Sequence, residues 1–426
     1  MMMANVPKFL AVCLCILTSP ATTQQTPEER YRLPQTESKL VERFRWNRID
    51  FSFGSEAERR VALENRSYIP NNTIPFGVGI WEEKLFITIP RRNPGVPATL
   101  NYINLNSSDN APLLTPYPDW ASNQPTAGNI VSVYRVNIDS CDRLWAMDAG
   151  SVTDFEGNGQ RIQSPRLLII NLKTDQIIKS HQLNSSPCNS AYINIFPDIR
   201  DSCEDAYAYA VDPSSNGLLV YSLQKDSSWR KSHPYFNPDP FQMELRVNGL
   251  SFSWSDGIFG LGLTERSKQG DKWIYFHPMC SLNEFTVNTR FLRDPNATLT
   301  SNQISIAATR NATFQAAAQA YDDKSGILFY SLVNKNAIGC WNTRKQGSFA
   351  ANSDIVVSND RTMVYFVDVK IDNNNLWAMS NRLPEVIYGS GLHSDQPNFR
   401  VFSGSLRQAI RNTNCDVNRS FWSRKV

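Results

Sequence analysis

The residues of this chain whose side chains could do chemistry stand singly at the ends of short apolar runs. Arg135 in "VYRVNID" is suited to hold a carboxylate, and Asp148 in "AMDAG" or Asp256 in "WSDGIF" to move a proton or hold an ammonium group. Tyr207 and Phe259 are suited to stack on a flat ring. Asp368 and Asn381 are added as one further acid and one amide. The full candidate set is Arg135, Asp148, Tyr207, Asp256, Phe259, Asp368 and Asn381.

Each acid in this set has a structural alternative. An Asp that follows an aromatic strand commonly caps a turn by accepting backbone N–H groups. For Asp148 and Asp256 this alternative stays open at the level of the sequence.

His277 in "YFHPM" is the best general-base candidate among the four histidines, because it stands among aromatic residues at a strand end. A buried histidine with a structural role is the competing interpretation. None of the four is paired with a Ser/Asp or Cys motif, so the sequence does not support a hydrolase triad.

Motifs for metals and phosphates are missing from the sequence. It has no CxxC pair or Cys/His cluster, and the glycines of "GLGLTERSKQG" (260–270) match neither a P-loop nor a dinucleotide pattern. We therefore expect no metal and no cofactor. The metal-dependent alternative is a lactonase-like propeller that holds Ca²⁺ in its channel through Glu, Asn and Asp oxygens. No spacing of such ligands in the sequence indicates it.

Short apolar strands broken by Asp, Asn, Gly and Ser turns must position the candidates. Strand–turn–strand units begin near 77, 133, 206, 252, 318 and 364. Six such units predict an all-β fold, a six-bladed β-propeller, with "SPRLLIINLKTDQIIKSHQL" (164–183) as the outer hairpin of one blade. A two-domain β-sandwich fits the regular recurrence less well. Innermost strands and their end loops line a propeller's channel, which is where the candidates would meet.

The tetrapeptide "LWAM" occurs at 144–147 and again at 376–379, each time after a polar turn. Trp145 and Trp377 are therefore predicted to occupy equivalent core positions between blades.

The N-terminus is typical of an exported protein. A single Lys8, the apolar run "FLAVCLCIL" and the small residues of "TSPATTQQ" predict a signal peptide over 1–23; a membrane anchor is the alternative, but the run is too short to span a bilayer. We place an N-terminal extension at 24–43, one propeller at 44–415 and a tail at 416–426. Seven sequons predict N-glycosylation at Asn65, Asn71, Asn106, Asn184, Asn296, Asn311 and Asn418.

The cysteines and the charge balance limit the partners. Six cysteines follow the predicted signal, an even number that suits disulfides, although 15 connectivities are open. Net charge is only +3, with 43 basic and 40 acidic residues, so nucleic acid is not an expected partner. We expect a secreted, extracellular monomer that does not bind membranes.

Several long motifs resemble the insect Yellow/major royal jelly protein family: "FITIPRRNPGVPATLNYI", "CDRLWAMDAGSV", "CEDAYAYAVDP", "SDGIFGLGL", "YFHPMCSLNEF", "IGCWNT" and "LWAMSNRLP". The resemblance implies a six-bladed propeller and the bridges Cys141–Cys203 and Cys340–Cys415. Cys188 and Cys280 depart from the family pattern. Two free thiols are the alternative, but we expect them to pair with each other.

The resemblance also implies a ligand class. Some Yellow proteins convert dopachrome in melanin synthesis, and salivary relatives bind biogenic amines in the channel through a Thr and an Asn. Asn381 matches that Asn, but Val367 stands at the Thr position, which puts amine binding by the same geometry in doubt. We therefore expect a small aromatic ligand and dopachrome conversion, with Arg135, His277 and Asp148 as catalytic candidates; a non-enzymatic role in cuticle or eggshell is the further alternative.

Overall fold

The computed structural model of this protein describes residues 39–154, 158–183 and 186–417. The predicted signal peptide, nearly all of the predicted extension, the sequons at Asn184 and Asn418 and the end of the tail lie outside the described residues. Within the described ranges, six four-stranded antiparallel sheets and two small hairpins account for the strands.

The first four strands along the chain after an initial strand form blade 1, and the next blade carries an inserted hairpin. The bounds are β1 (Val41–Trp46); for blade 1, β2 (Gly77–Trp81), β3 (Lys84–Thr88), β4 (Leu100–Asn104) and β5 (Thr115–Pro116); and for blade 2, β6 (Val133–Ile138), β7 (Arg143–Asp148), the hairpin β8 (Ser151–Thr153) and β9 (Gly159–Arg161), β10 (Arg166–Asn171) and β11 (Gln176–Gln182).

Blades 3 and 4 are separated by a second hairpin. The bounds are, for blade 3, β12 (Asn194–Ile199), β13 (Ala206–Asp212), β14 (Gly217–Ser222) and β15 (Ser227–Ser232); for the hairpin, β16 (Glu244–Val247) and β17 (Leu250–Ser253); and for blade 4, β18 (Ile258–Leu263), β19 (Trp273–Pro278), β20 (Asn283–Asn288) and β21 (Ile304–Thr309).

The last two blades complete the ring, and five short helices connect strands. The bounds are, for blade 5, β22 (Ala316–Asp322), β23 (Ile327–Leu332), β24 (Ala337–Asn342) and β25 (Ser353–Ser358); for blade 6, β26 (Phe366–Asp372), β27 (Asn375–Ser380) and β28 (Phe399–Ser405); and for the helices, α1 (Glu56–Glu64), α2 (Thr289–Arg293), α3 (Phe349–Asn352), α4 (Leu383–Tyr388) and α5 (Leu406–Ile410).

Blade 6 is closed by the beginning of the described chain. β1 pairs antiparallel with β28, with Val41 opposite Ser403 and Trp46 opposite Phe399. The first strand of every blade contacts the first strand of the next, and β26 returns to β2. The architecture is therefore the predicted six-bladed β-propeller.

Within each blade, the strands near the centre of the sheet are more buried than the outermost strand. β7, a second strand, is buried at all six positions, whereas the outermost strand β11 is exposed at most of its positions. Second and third strands are covered on both faces by neighbouring blades, so they consist of nearly continuous apolar residues. This explains "LWAM": both copies lie in second strands, β7 and β27, and Trp145 and Trp377 are buried there at equivalent positions, as predicted.

The predicted start of the third blade is wrong, because it falls on the second strand of that blade instead of the first. The sequence places it at 206, but its inner strand is β12, with the sequence "NIFPDI", and β13 and β14 follow. Pro197 obscured this strand because proline cannot donate a ladder hydrogen bond. It is tolerated here because β12 is the inner edge of its sheet. Four of the other five starts lie within two residues of the prediction, and β10 and β11 form the predicted outer hairpin. The start predicted near 252 lies in the hairpin strand β17, six residues before blade 4 begins at Ile258.

Two disulfides join separate parts of the ring, as the family resemblance implied. Cys141–Cys203 ties the β6–β7 turn of blade 2 to the β12–β13 loop of blade 3, and Cys340–Cys415 ties the C-terminal segment to β24. The expected third bridge is wrong. Cys188 is exposed in the loop before β12, whereas Cys280 is buried and its Sγ donates to the Trp254 carbonyl oxygen at 2.9 Å.

None of the helices in the described part of the chain has the length and apolar composition needed to cross a membrane.

Loss of the Cys340–Cys415 bridge is expected to lower the free energy of unfolding by about 4 kcal/mol, because the bridge closes a segment with a sequence separation of 75. Chemical unfolding of a Cys340→Ser/Cys415→Ser double variant measures this. Cys188→Ser is the matched control and should leave stability unchanged. Equal stability of all three proteins would contradict the structural importance of the bridge.

Candidate functional site

A cavity of about 270 Å³ opens at the centre of the ring, where the inner strands begin. Blades 1, 2, 3, 4 and 6 and helix α4 all contribute to its wall. Aromatic side chains dominate the wall: Phe76, Tyr134, Trp254, Phe259, Tyr365 and Tyr388. Three charged side chains are set among them: Arg92, Arg135 and Asp256. A concave, mostly apolar site with few polar groups is the usual form of a small-molecule site.

Asp256 supplies the one carboxylate among the described residues that line this cavity. It stands in the loop between β17 and β18, and Gly257 holds that loop close to its neighbours. A Cβ at Gly257 would collide with Oδ1 of Asn216 and with the Phe236 carbonyl oxygen. The sequence "SDG" therefore fixes where the carboxylate points.

Burial raises the pKa of the Asp256 carboxyl above its ordinary value. The Trp254 side chain and the positive charges of Arg92 and Arg135 favour the ionised form and oppose the shift without cancelling it. The side chain is half-buried and opens to the cavity. A carboxyl group of this kind can take up or release a proton closer to neutral pH than an exposed Asp.

Arg135, in β6, lines the cavity and is 3% exposed. Its Nη2 donates to the Val367 carbonyl oxygen at 2.8 Å, Nε donates to the same oxygen at 3.2 Å, and Nη1 donates to the Ile193 carbonyl oxygen at 3.4 Å. Its guanidinium is centred 5.1 Å from the Phe259 ring centroid. Since a guanidinium has five N–H donors, two stay available to a bound anion.

Arg92 was not among the residues selected from the sequence. It follows β3 within "IPRRNPG", and its Nη1 donates to the Tyr134 hydroxyl at 3.2 Å at the cavity wall. The sequence signal for it is a basic residue in the loop that follows a short apolar strand, the same kind of position that holds the other candidates.

Tyr365 was also missed, although it immediately precedes inner strand β26. Its backbone has a φ of 52°, a left-handed conformation that is rare for a bulky residue. Asn336 holds it there, since Asn336 Oδ1 accepts the Tyr365 N–H at 3.1 Å. The hydroxyl has no hydrogen-bond partner among the described residues, and burial raises its pKa, so it stays protonated at neutral pH.

Two further candidates lie behind the cavity wall. Asp368 is 1% exposed; its Oδ2 accepts from Val78 N at 3.0 Å, and its Oδ1 lies 3.8 Å from Arg135 Nε and 3.3 Å from Lys370 Nζ. Asn381 is fully buried, donates to the Pro75 carbonyl oxygen at 2.9 Å and accepts from Leu383 N at 3.1 Å. These groups are committed to the scaffold, so neither side chain faces the cavity.

Asp148 has the turn-capping role that was its structural alternative. Its carboxylate accepts from the backbone N–H groups of Val131, Ser132 and Gly150, at 2.8–3.1 Å. Arg166 Nε donates to it at 3.2 Å, and Gln163 Nε2 also donates. The structure therefore places Asp148 outside the cavity, with its oxygens fully occupied.

His277 lies within the sheet of blade 4, away from the cavity, and is fully buried. Its Nδ1 contacts Glu284 Oε2 at 2.8 Å, and its Nε2 contacts the Ala317 carbonyl oxygen at 2.9 Å. Arg310 Nη1 lies 2.6 Å from the same Glu284 oxygen. Both ring nitrogens of His277 are engaged, so it joins blades 4 and 5 and cannot reach a ligand in the cavity.

Tyr207 lies at the start of β13, which is the opposite end of the ring from the cavity. It packs against Trp229 and between the guanidinium groups of Arg200 and Arg293. The prediction that Tyr207 lines the site is wrong, because the sequence does not specify which end of each strand faces the site. Of the candidates, the structure brings Arg135, Asp256 and Phe259 together.

The chain is similar to a known protein family over most of its length. The model of the major royal jelly protein family matches residues 131–415. "Protein yellow" of Drosophila yakuba is 38% identical over 391 residues, covering 89% of this chain and 71% of that protein. "Protein yellow" of Drosophila subobscura is 38% identical over 394 residues, covering 90% and 68%.

Among solved structures, virginiamycin B lyase from Staphylococcus aureus aligns over 78% of this chain and 95% of its own, with 11% identity and a TM-score of 0.40. The aldose sugar dehydrogenase from Streptomyces coelicolor aligns over 78% and 94%, with 12% identity and a TM-score of 0.42. These likenesses are too weak to support any functional argument.

Glu284→Gln is expected to destabilise the fold by about 3 kcal/mol, because it leaves the buried cation of Arg310 without its carboxylate. Burial alone would raise the pKa of Glu284, but the charges of His277 and Arg310 lower it overall. The stabilisation is therefore present above the unfolded pKa of about 4.3 and is lost as pH falls through the lower folded value.

Thermal unfolding of wild type and Glu284→Gln from pH 7 to pH 3 measures this. The difference between them should shrink at the acidic end. Exposed Glu265→Gln is the control and should follow the wild type; a constant difference across the range would contradict the assignment.

Proposed function

The chain belongs to the major royal jelly protein family, and from that premise we propose that it is an exported pigmentation protein that converts dopachrome to a dihydroxyindole in the central cavity. One observation carries the proposal. Arginine side chains, a carboxyl group with a raised pKa and aromatic side chains meet in one cavity of about 270 Å³. A cavity of this volume suits a single small bicyclic molecule.

Dopachrome is an indoline quinone-imine that carries a carboxylate, and each part has a partner in the cavity. The flat ring would pack between Phe259 and the other aromatic residues. Arg92 and the two available N–H groups of Arg135 would hold the carboxylate. Because these groups are held in place before a ligand binds, little binding energy is used to order them.

Conversion needs no external oxidant or reductant. In the isomerisation, the carbon bearing the carboxylate loses a proton, its C–H electron pair moves into the quinone-imine system, and a ring oxygen gains a proton. The neighbouring ring CH₂ then loses one proton and the ring nitrogen gains one, which completes the dihydroxyindole. Asp256 would take the first proton, and the Tyr365 hydroxyl would donate to the oxygen that gains charge. In the decarboxylation, the carbon–carboxylate bond supplies the electron pair instead and CO₂ leaves.

Export is supported by features outside the cavity. Two disulfides join distant parts of the chain, and such bonds persist in oxidising compartments. The predicted signal peptide and sequons indicate the same route.

Amine binding is the second candidate function, because Asp256 can hold an ammonium group beside aromatic rings. Val367 lines the cavity where the salivary relatives have a hydroxyl, and the Asn381 amide is committed to Pro75 and Leu383. Both observations weaken this candidate relative to dopachrome conversion.

Purified protein is expected to accelerate the loss of dopachrome absorbance in a saturable way, and Asp256→Asn should lower kcat by about 100-fold or more. Because burial raises the pKa of Asp256 and the base must be ionised, the rate should rise with pH through that raised pKa. Exposed Asp395→Asn is the matched control. Without any turnover, but with calorimetric binding of dopamine, the protein is an amine binder; silence in both assays favours a structural role.

Tyr365→Phe is expected to lower kcat by about 100-fold with little change in KM, since the hydroxyl acts on charge that develops only during the reaction. Steady-state kinetics at fixed pH measure this. Tyr102→Phe, in blade 1 and outside the cavity, should retain full activity. A change in KM alone would instead make Tyr365 a binding residue.

A further inference from the structure

A second cavity, of about 760 Å³, lies on the outside of the ring between helix α1 and the loops 91–97 and 120–125. We call it the α1 groove. Phe53 and Trp120 form its aromatic part and stack on each other, with ring centroids 5.2 Å apart and an interplanar angle of 29°. Pro94, Pro97 and Val61 add apolar surface. This surface is separate from the central cavity and takes no part in the proposed reaction.

The α1 groove leaves apolar surface uncovered in the described residues. Val61 is 54% exposed although it lines the groove, and Ala62 is the one buried residue of α1. Phe53 and Trp120 are only half-buried. An aromatic pair flanked by prolines is a surface on which the apolar face of a pyranose ring packs, because its C–H groups are attracted to the aromatic face.

A glycosylation sequon lies in the wall of this groove. Asn65 begins "NRS", caps the end of α1 and lines the cavity. Its Oδ1 accepts from Ser67 N at 2.9 Å, whereas its Nδ2 donates no hydrogen bond to the described residues. The side chain is exposed, so the nitrogen that would carry a glycan is accessible at the edge of the aromatic surface.

We infer that Asn65 carries an N-linked glycan whose first sugars occupy the α1 groove, against Trp120 and Phe53. In the attachment, Asn65 Nδ2 bonds to the anomeric carbon of a lipid-linked oligosaccharide diphosphate; the lipid diphosphate leaves and Nδ2 loses one proton. The glycan then covers apolar surface of the ring and acts as part of the fold. This inference rests on the proposed export, since the sugar donor is met only on that route.

The other described sequons provide the comparison. Asn71, Asn106, Asn296 and Asn311 are exposed, and none of them lines the α1 groove. A glycan at Asn106, for example, would extend from the loop after β4. Removing it should therefore have no effect on the groove.

Protein collected from the medium of insect cells tests the inference, first by glycopeptide mass spectrometry. Asn65→Asp removes the sequon but keeps the oxygen that accepts from Ser67 N, and Asn106→Asp is its matched control. Asn65→Asp should lower the Tm by about 2 °C and speed hydrogen exchange in residues 53–65 and 120–125. Asn106→Asp should do neither.

A double-variant cycle separates the docked glycan from the added carboxylate. The carboxylate affects Asn65→Asp equally in the wild-type and Trp120→Ala backgrounds, whereas a docked glycan loses its contact in the second. The part of the Tm loss that exceeds the carboxylate effect should therefore disappear in the Trp120→Ala background. If Trp120→Ala does not fold, hydrogen exchange of the Asn65→Asp single variant tests the docking: faster exchange in residues 53–65 and 120–125 supports it, and unchanged exchange contradicts it.

The outcomes distinguish the two proposals. Glycans on other sequons but not on Asn65, or groove exchange unchanged by Asn65→Asp, would overturn the docking inference and leave export intact. Protein that stays in the cells, or is bare at every sequon, would count against export itself.

Discussion

Four of the six blades meet at a single buried ion pair near the centre of the ring. Arg135 of blade 2 donates to backbone carbonyl oxygens of Ile193, before blade 3, and Val367, in blade 6. Asp368 of blade 6 lies 3.8 Å from Arg135 and accepts from Val78 N of blade 1. Removing these charges from water is costly unless they are paired and hydrogen-bonded, so the pair fixes how the inner strands approach each other. The cavity exists because that approach is fixed.

The same requirement separates the acids that support the fold from the acid that can do chemistry. Asp148 and Asp212 end the second strands of blades 2 and 3, and each accepts hydrogen bonds from backbone N–H groups and from an arginine. Glu284 is matched by His277 and Arg310. Asp256 opens to the cavity instead, with two arginines near enough to influence its pKa but no ion pair among the described residues. An acid with spare hydrogen-bonding capacity beside a cavity is the one that a ligand can use.

Ring closure depends on residues far apart in the chain. β1 supplies the outer strand of blade 6, and the C-terminal segment is held to blade 5 by the Cys340–Cys415 bridge. A propeller in which each end of the described chain is tied to another blade resists opening at the point where the ring would otherwise separate. This rigidity keeps the left-handed backbone of Tyr365 and the loop of Asp256 in place without a ligand.

Local patterns determined the fold class, the number of blades and the equivalence of Trp145 and Trp377, because strand periodicity and burial between blades act on neighbouring residues. They also located Arg135, Asp256 and Phe259. Only the tertiary structure decided the rest. Tyr207 is excluded because it lies at the end of the ring opposite the cavity. His277 is held away from the site by Glu284 and Ala317. Asp148 is held away by Val131 and Arg166. A side chain's availability depends on what other segments place beside it, and no local pattern carries that information.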